Sequence, residues 1–513
     1  MPLLGSIIKR TIKLRNRLPV RIRRRNCLKQ QAVVLHKLLM EAKETAFGEF
    51  YNFNHILRQK DIIGAFQRSV PIHDYNKIFK TWWYRSLHGE TYVTWPSKVK
   101  YFALSSGTSD SSTKHIPVTE NMLRAIKRTS IRQILSLANY DLPENFFQKG
   151  ILMLGGSTHL LYNGTYFEGD LSGITAKNIP FWFEHFYKPG KRISKERDWN
   201  TKLDEITKNA KNWDIGVIVG VPAWIQILLK KIIDFYKVDN IHDIWPNLRV
   251  YTHGGVAFGP YKKSFEKLLG KPLIYIETYL ASEGFIAYQD RPESHSMKLV
   301  LNNGLFMEFI PFNEQNFDEN GNLVEEPEVL TIDKVNEGEE YALLLTTCAG
   351  AWRYLIGDTI RFKSKELNEI VITGRTKHFI NLCGEHLSLE NMERAVKMVE
   401  DELNIEIPEF AVCGITYESM FAHKWYIGTN NNVNPELLRK LIDNNLRTLN
   451  DDYNVERIAA IREVIVEVLP LDIFYKWLKS KGKEGGQNKF PRVLRKNTLI
   501  EWEEFVKTQH HKK

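Results

Sequence analysis

The stretch that most constrains this chain is Tyr101–Val118, YFALSSGTSDSSTKHIPV. Tyr101–Leu104 is aromatic and apolar with no breaker, which predicts a short strand. The run that follows, Ser105-Ser106-Gly107-Thr108-Ser109-Asp110-Ser111-Ser112-Thr113-Lys114, is small, hydroxyl-bearing and closed by one lysine. Gly107 lets the backbone bend so that successive N–H groups turn inward. The hydroxyls of Ser105, Ser106, Thr108 and Ser109 add rotatable donors, and Lys114 adds a positive charge; together they suit a polyphosphate. The same composition also describes an ordinary Ser/Thr-rich surface loop, and the stretch alone does not choose between the two. It matches neither G-x-x-x-x-G-K-[ST] nor G-x-G-x-x-G.

Composition narrows the setting. A chain of 513 residues with 43% hydrophobic and 12% aromatic content is globular, with room for two or three domains. Its longest apolar run, residues 215–229, contains Pro222 and Gln226 and falls short of the ~20 residues that span a bilayer. No signal peptide is expected. The four cysteines, Cys27, Cys348, Cys383 and Cys413, form no C-x-x-C pair, so neither a zinc site nor a disulfide framework is implied and a reducing cytoplasm is the expected home. The net charge of +10 is concentrated in residues 1–25, whose Lys9, Arg10, Lys13, Arg15, Arg17, Arg21, Arg23, Arg24 and Arg25 face no acid. Leu3, Leu4, Ile7, Ile8, Ile12 and Leu14 interleave with them. Such an arm is read first as a solvated segment on the body, next as a peripheral contact with an anionic membrane surface, and last as a nucleic-acid contact; no nucleic acid is expected.

Along the chain, apolar spacing predicts helices over residues 30–43 and 120–137. A strand at residues 150–154 runs into Gly155-Gly156-Ser157-Thr158-His159. This partial G-x-S-x-G puts His159 at the last glycine, so a pocket wall is favoured over a hydrolase elbow. The aromatic stretch 164–190 reads as pocket lining or core. A strand at residues 216–220 leads through Val221 and Pro222 into an apolar helix, and another at 248–252 leads into His253-Gly254-Gly255. A strand at 273–278 precedes Tyr279-Leu280-Ala281-Ser282-Glu283. There a tyrosine face can stack on a base, a hydroxyl can donate to a phosphate, and a carboxylate can hold Mg²⁺. Finally Tyr341–Thr347 precedes Trp352-Arg353-Tyr354-Leu355-Ile356-Gly357-Asp358, whose carboxylate can accept two hydroxyls at once.

The hydroxyl-rich loop, the Tyr-x-x-Ser-Glu stretch and the Tyr-x-x-Gly-Asp stretch, in this order, resemble the three motifs of the acyl-adenylate-forming superfamily. The SSGTS form followed by Lys114 and Ile116-Pro117 is most similar to the Gretchen Hagen Three family of acyl-acid amido synthetases. Two departures stand out: Ser111 occupies the place of a frequent second glycine, and Leu355 that of the usual arginine, with Arg353 two residues earlier. The resemblance implies an adenine-binding turn at Gly254 and Gly255 and acid-substrate contacts at Val221, Pro222 and Trp224; Ser157 and Thr158, in the stretch read above as pocket wall, join them as substrate-binding candidates. It also implies a hinge in Ile372-Thr373-Gly374-Arg375-Thr376-Lys377, with rotation about residues 375–377, and a C-terminal lysine loop, Gly485 to Arg492, whose Lys489 reaches the reacting centre.

The reading that follows is an α/β chain in three parts. A basic arm (1–25) precedes a large adenylate-forming domain of mixed sheets and helices (26–374), and a small mobile α+β lid (375–513) follows it. Ser388 is expected to cap a helix there. The expected reaction is ATP- and Mg²⁺-dependent activation of a carboxylic acid as an acyl-adenylate, then transfer to an amine or amino acid. Lys114, Lys489 and Glu283 are the catalytic candidates, with Glu283 holding the metal. Ser105, Ser106, Gly107, Thr108, Ser109, Gly254, Gly255, Tyr279, Ser282, Asp358 and Arg375 hold the nucleotide. The protein is expected to be a monomer. The alternatives are an acyl-CoA ligase and a non-catalytic nucleotide-binding or membrane-surface adaptor.

Overall fold

The computed structural model describes residues 26–105, 114–255, 258–292, 294–318, 321–376, 379–380, 382–383, 385, 387–418, 420–481, 490–494 and 496–510. These residues fall into two compact units that part after Thr376. Each is built on its own sheet. Ser106, Gly107, Thr108, Ser109 and Lys489 lie outside the described residues.

The larger unit opens with α1 (Cys27–Ala42), whose Leu35, Leu38, Leu39 and Ala42 are buried at helical spacing. A four-stranded sheet follows, built on β1 (Tyr101–Ser105) and β2 (Lys114–Val118) and completed by β4 (Leu161–Tyr162) and β5 (Phe167–Gly169). Between β2 and β3 (Gly150–Met153) runs α2 (Glu120–Ser136), capped by Thr119, whose side chain accepts from the Met122 N–H.

Among the described residues the main sheet has eleven strands, in the order β12-β13-β14-β15-β11-β10-β9-β8-β7-β3-β6. Its parallel half is β3, β6 (Tyr187–Lys188), β7 (Ile215–Val219), β8 (Val250–Gly254) and β9 (Ile274–Ala281). Its antiparallel half is β10 (Gly284–Tyr288), β11 (Met297–Leu299), β12 (Leu305–Pro311), β13 (Glu340–Thr347), β14 (Tyr354–Ser364) and β15 (Glu369–Arg375). From β7 the chain enters α3 (Pro222–Tyr236), with proline at the start where a missing N–H is harmless.

An aromatic core fixes the turn between β13 and β14. Trp352 lies 5.6 Å from Phe47 and 4.8 Å from Phe53, and its indole N–H donates to the Thr94 carbonyl at 3.1 Å. Trp83 donates to the Gly350 carbonyl at 3.1 Å. The aromatic stretch before the hydroxyl-rich loop thus braces the strand that carries Asp358.

In the smaller unit, β16 (Glu409–Tyr417), β17 (Met420–Gly428) and β18 (Ile461–Leu469) form a sheet; α5 (Pro435–Leu449) packs on β18, and α4 (Leu389–Leu403) on α5. Ser388 caps α4 as expected, its side chain accepting from the Asn391 N–H while Asn391 reaches back to the Ser388 N–H. β17 pairs antiparallel with β16, Met420 opposite Tyr417, and parallel with β18, Phe421 opposite Ile461. Among the described residues no helix is long and apolar enough to cross a membrane, and all four cysteines are free.

Candidate functional site

The site is assembled by strand ends of the larger unit. β1 and β2 pair with Ser105 opposite Lys114, so both ends of the hydroxyl-rich loop are anchored side by side. Lys114 Nζ lies 5.4 Å from the Tyr75 ring, and Tyr75 OH accepts from the His115 N–H at 2.9 Å. The β9–β10 hairpin turns at Ser282 and Glu283, with Ala281 opposite Gly284.

Asp358 is the hub. Tyr279 OH donates to its Oδ2 at 2.5 Å, and Arg375 Nε donates to its Oδ1 at 2.7 Å. The second contact follows from register, since Asp358 and Arg375 face each other across β14 and β15. The first does not. β9 and β14 stand four places apart in the sheet, about 19 Å if it were flat. A 2.5 Å contact therefore means that the sheet curls to bring the two motifs onto one concave side.

Glu283 is buried, and burial pushes its carboxyl up from 4.5 to about 7; Lys114 and Arg375 pull it down and Asp358 pushes it up. Among the described residues no side chain donates a hydrogen bond to it. Burial also raises the Tyr279 phenol well above its ordinary value, with the Asp358 charge adding to the effect. Tyr279, Glu283, Asp358, Arg375 and Lys114 thus act on one another electrostatically within one neighbourhood.

The turn after β8 needs its glycines. A Cβ on Gly254 would stand 2.4 Å from the Thr278 carbonyl oxygen, and Gly255 has φ +84°. Thr278 Oγ1 donates to the His253 carbonyl at 2.9 Å, binding this turn to β9. Val221 lies beside it, its Cγ2 at 3.9 Å from the position a Gly255 Cβ would take.

Between α2 and the parallel half of the sheet lies a cavity of about 410 Å³. Leu123, Ile126, Ile134, Met153, Val219 and Leu280 make much of its wall. Met122 touches the Gly284 position, so α2 starts beside the Glu283 hairpin. Just past its end, Asn139 donates to the Asp290 carbonyl at 2.8 Å. Thr278 and Leu280, on either side of Tyr279, and Phe285 line the cavity, so it lies beside the hairpin that carries Glu283. Phe183, Pro180 and Ile179 of the aromatic stretch line it, whereas Phe181 is exposed.

Ser157, Thr158, Val221, Pro222 and Trp224 do not line this cavity. Ser157 Oγ donates to the Lys195 carbonyl at 2.9 Å and accepts from the His159 N–H at 3.1 Å, the pattern of a loop-shaping serine. Trp224 meets Trp199 edge-on at 4.3 Å. The inner face of α2 was not singled out by sequence; its apolar period marks a buried face without saying what lies opposite. Arg353 points away from Asp358. It is buried against Glu308 at 3.2 Å and donates to the Gln67 and Val70 carbonyls at 2.8 and 2.7 Å. It is a bracing residue, and the slot two residues on holds Leu355.

The fold is that of known adenylate-forming enzymes. A solved AtGH3.15 acyl acid amido synthetase in complex with 2,4-DB matches with a TM-score of 0.58 at 16% identity, covering 93% of this chain and 94% of that one. A 2-hydroxyisobutyryl-CoA ligase matches with a TM-score of 0.59 at 12% identity, covering 96% and 93%. Family models then assign the sequence. The GH3 family N-terminal domain matches residues 23–203, the central domain 298–375 and the C-terminal domain 390–498, so the chain belongs to the GH3 family. Jasmonoyl–L-amino acid synthetase JAR4 of Nicotiana attenuata is 33% identical over 128 residues, 24% of this chain and 21% of that protein. Indole-3-acetic acid-amido synthetase GH3.2 of Arabidopsis thaliana is 29% identical over 127 residues, 24% of this chain and 23% of that protein. The aligned stretches thus span less than a quarter of these curated relatives.

Proposed function

We propose that this protein is an ATP-dependent acyl-acid amido synthetase. The observation that carries the reading is the Tyr279–Asp358–Arg375 hydrogen-bonded set beside buried Glu283, with an apolar cavity under α2 lined by Thr278 and Leu280 on either side of Tyr279. Asp358, with one oxygen held by Tyr279 and the other by Arg375, keeps lone pairs free for the two ribose hydroxyls. The turn at Gly254 and Gly255 lets a flat purine approach the backbone. Ser105 and Lys114 anchor the loop whose Ser106, Gly107, Thr108 and Ser109 receive the phosphates.

In the first step a carboxylate oxygen of the substrate bonds to the α-phosphorus, the α–β bridging P–O bond breaks, and pyrophosphate leaves. In the second an amine attacks the acyl carbon, the bond to AMP breaks, an amide forms and the nitrogen gives up its proton. Glu283 fits a cation: it is a buried carboxyl that no side chain among the described residues supplies with a hydrogen bond. Bound there, Mg²⁺ would neutralise phosphate charge. Residues 375–513 form the lid that brings Lys489 to the phosphate, turning at residues 375–377.

The test is acid-dependent pyrophosphate release across a library of carboxylic acids, with hydroxylamine to trap the acyl-adenylate. Release that requires both acid and ATP, and that Asp358→Ala lowers by a factor on the order of 10²–10³, supports the reading. Adding either pooled amino acids or CoA names the acceptor: amide product supports an amido synthetase, and thioester alone overturns that part.

A further inference from the structure

A groove of about 1040 Å³ lies between α1 and α2, and none of the carboxylate cluster lines it. Its edges carry Lys29 and Lys37 from α1 and Arg124, Lys127 and Arg128 from α2. The groove's one acid, Glu41, is already engaged, 3.9 Å from Lys37 and accepting from Asn121 at 2.9 Å. Lys29, Arg124, Lys127 and Arg128 face no carboxylate at ion-pair distance among the described residues. The floor is apolar, with Val34, Leu38 and Ile131, and Val33 stands 64% exposed between Lys29 and Lys37 on one helical face.

A surplus of unpaired cations around an apolar floor selects a ligand that is anionic at its head and apolar behind it. The segment preceding α1 cannot neutralise the groove, since residues 1–25 hold nine more cations and no acid. Their apolar residues alternate with the cations in the manner of an interfacial segment. We propose that the α1–α2 groove docks the protein on an anionic phospholipid surface, its cations taking headgroup phosphates and carboxylates and Val33 meeting the acyl boundary. Docking is independent of the synthetase reading. Its consequence for catalysis is geometric: Arg124, Lys127 and Ile131 line both this groove and the apolar cavity, so one helix separates bilayer from cavity. Lys29 and Arg128 line the groove alone.

The experiment is co-flotation of the full chain with vesicles of phosphatidylcholine, with and without phosphatidylserine. The wild type floats with the anionic vesicles only, and high salt releases it. Lys29→Ala combined with Arg128→Ala, the arm intact, lowers partitioning about 30-fold, from ~1 kcal/mol per basic side chain near the surface. Lys29→Gln with Arg128→Gln repeats the result, with an unchanged melting temperature as the fold control. The proposal is overturned if the wild type ignores anionic vesicles or binds neutral ones equally. It also fails if either double variant floats like the wild type, or if duplex oligonucleotide outcompetes the vesicles.

Discussion

Glu283 in the larger unit and Glu385 in the smaller one are both removed from water, and their carboxyls are pushed in opposite directions. Glu283 is raised to about 7, because burial outweighs its own backbone N–H and no side chain among the described residues donates to it. Burial would raise Glu385 as well, but His423 and the Cys383 and Leu382 N–H groups outweigh it and hold that carboxyl at about 2. The contacts are His423 Nε2 at 2.9 Å, the Leu382 and Cys383 N–H groups at 2.9 Å each, and Cys383 Sγ at 3.3 Å. One buried carboxylate is met by a histidine and two backbone N–H groups of other residues, the other, among the described residues, only by its own N–H. A satisfied charge belongs to the fold; an unsatisfied one waits for a ligand.

The largest effect expected from that contrast is on stability in the smaller unit. Replacing His423 by leucine strands the Glu385 charge, and breaking such a buried pair costs about 3–5 kcal/mol. Chemical denaturation followed by a probe in the C-terminal unit checks it. The distinction breaks if His423→Leu unfolds no earlier than wild type. Arg353→Met is the matching variant in the larger unit. It strands Glu308, and the same order of destabilisation is expected with no special loss of nucleotide affinity in the molecules that remain folded.

Glu283→Gln should do the reverse. The fold loses no hydrogen-bonded partner, and acid-dependent pyrophosphate release falls by a factor on the order of 10²–10³. Steady-state rates beside a thermal melt separate the two readouts. A variant that melts early yet keeps its rate would make Glu283 a structural residue like Glu385. The pH profile sharpens the same point. With the carboxyl at about 7, the wild-type rate should climb through neutrality as Glu283 ionises, and added Mg²⁺ should move that rise to lower pH.

How much of this was legible in the sequence follows the range of the interactions. The strands entering each motif, the Ser388 cap and the glycine turn after β8 are local, and residue type and spacing predict them. Tyr279 and Asp358 were each singled out by motif, but their contact depends on sheet curl, which no local pattern encodes. Leu123 and Ile126 on α2 read only as a buried helical face. Arg353 was legible as a residue and not as a direction: its positive φ of 43° and its grip on Glu308 turn it from the site. Glu385 and His423 belong to no motif, and only folding brings them together.

The smallest effect expected is in the pH dependence of stability, where the two glutamates have opposite signs. A carboxyl raised to about 7 binds its proton more tightly in the folded state than at the ordinary 4.5. Its contribution is therefore full below pH 4.5 and is lost as pH rises from there to about 7. Glu385, held at about 2, contributes fully above pH 4.5, and that is lost as pH falls towards 2. Glu283→Gln abolishes only the first dependence. The variant should match wild type near pH 4.5 and melt later than it above pH 7, by several degrees at most: the step from 4.5 to about 7 is worth up to ~3 kcal/mol, and a unit this large moves by less than the 2–4 °C per kcal/mol typical of about 150–250 residues. Paired melts at several pH values read the crossover directly. A constant offset between the two proteins from acid to alkaline pH would mean that Glu283 keeps one charge state throughout, and the contrast with Glu385 would then be one of position and not of protonation.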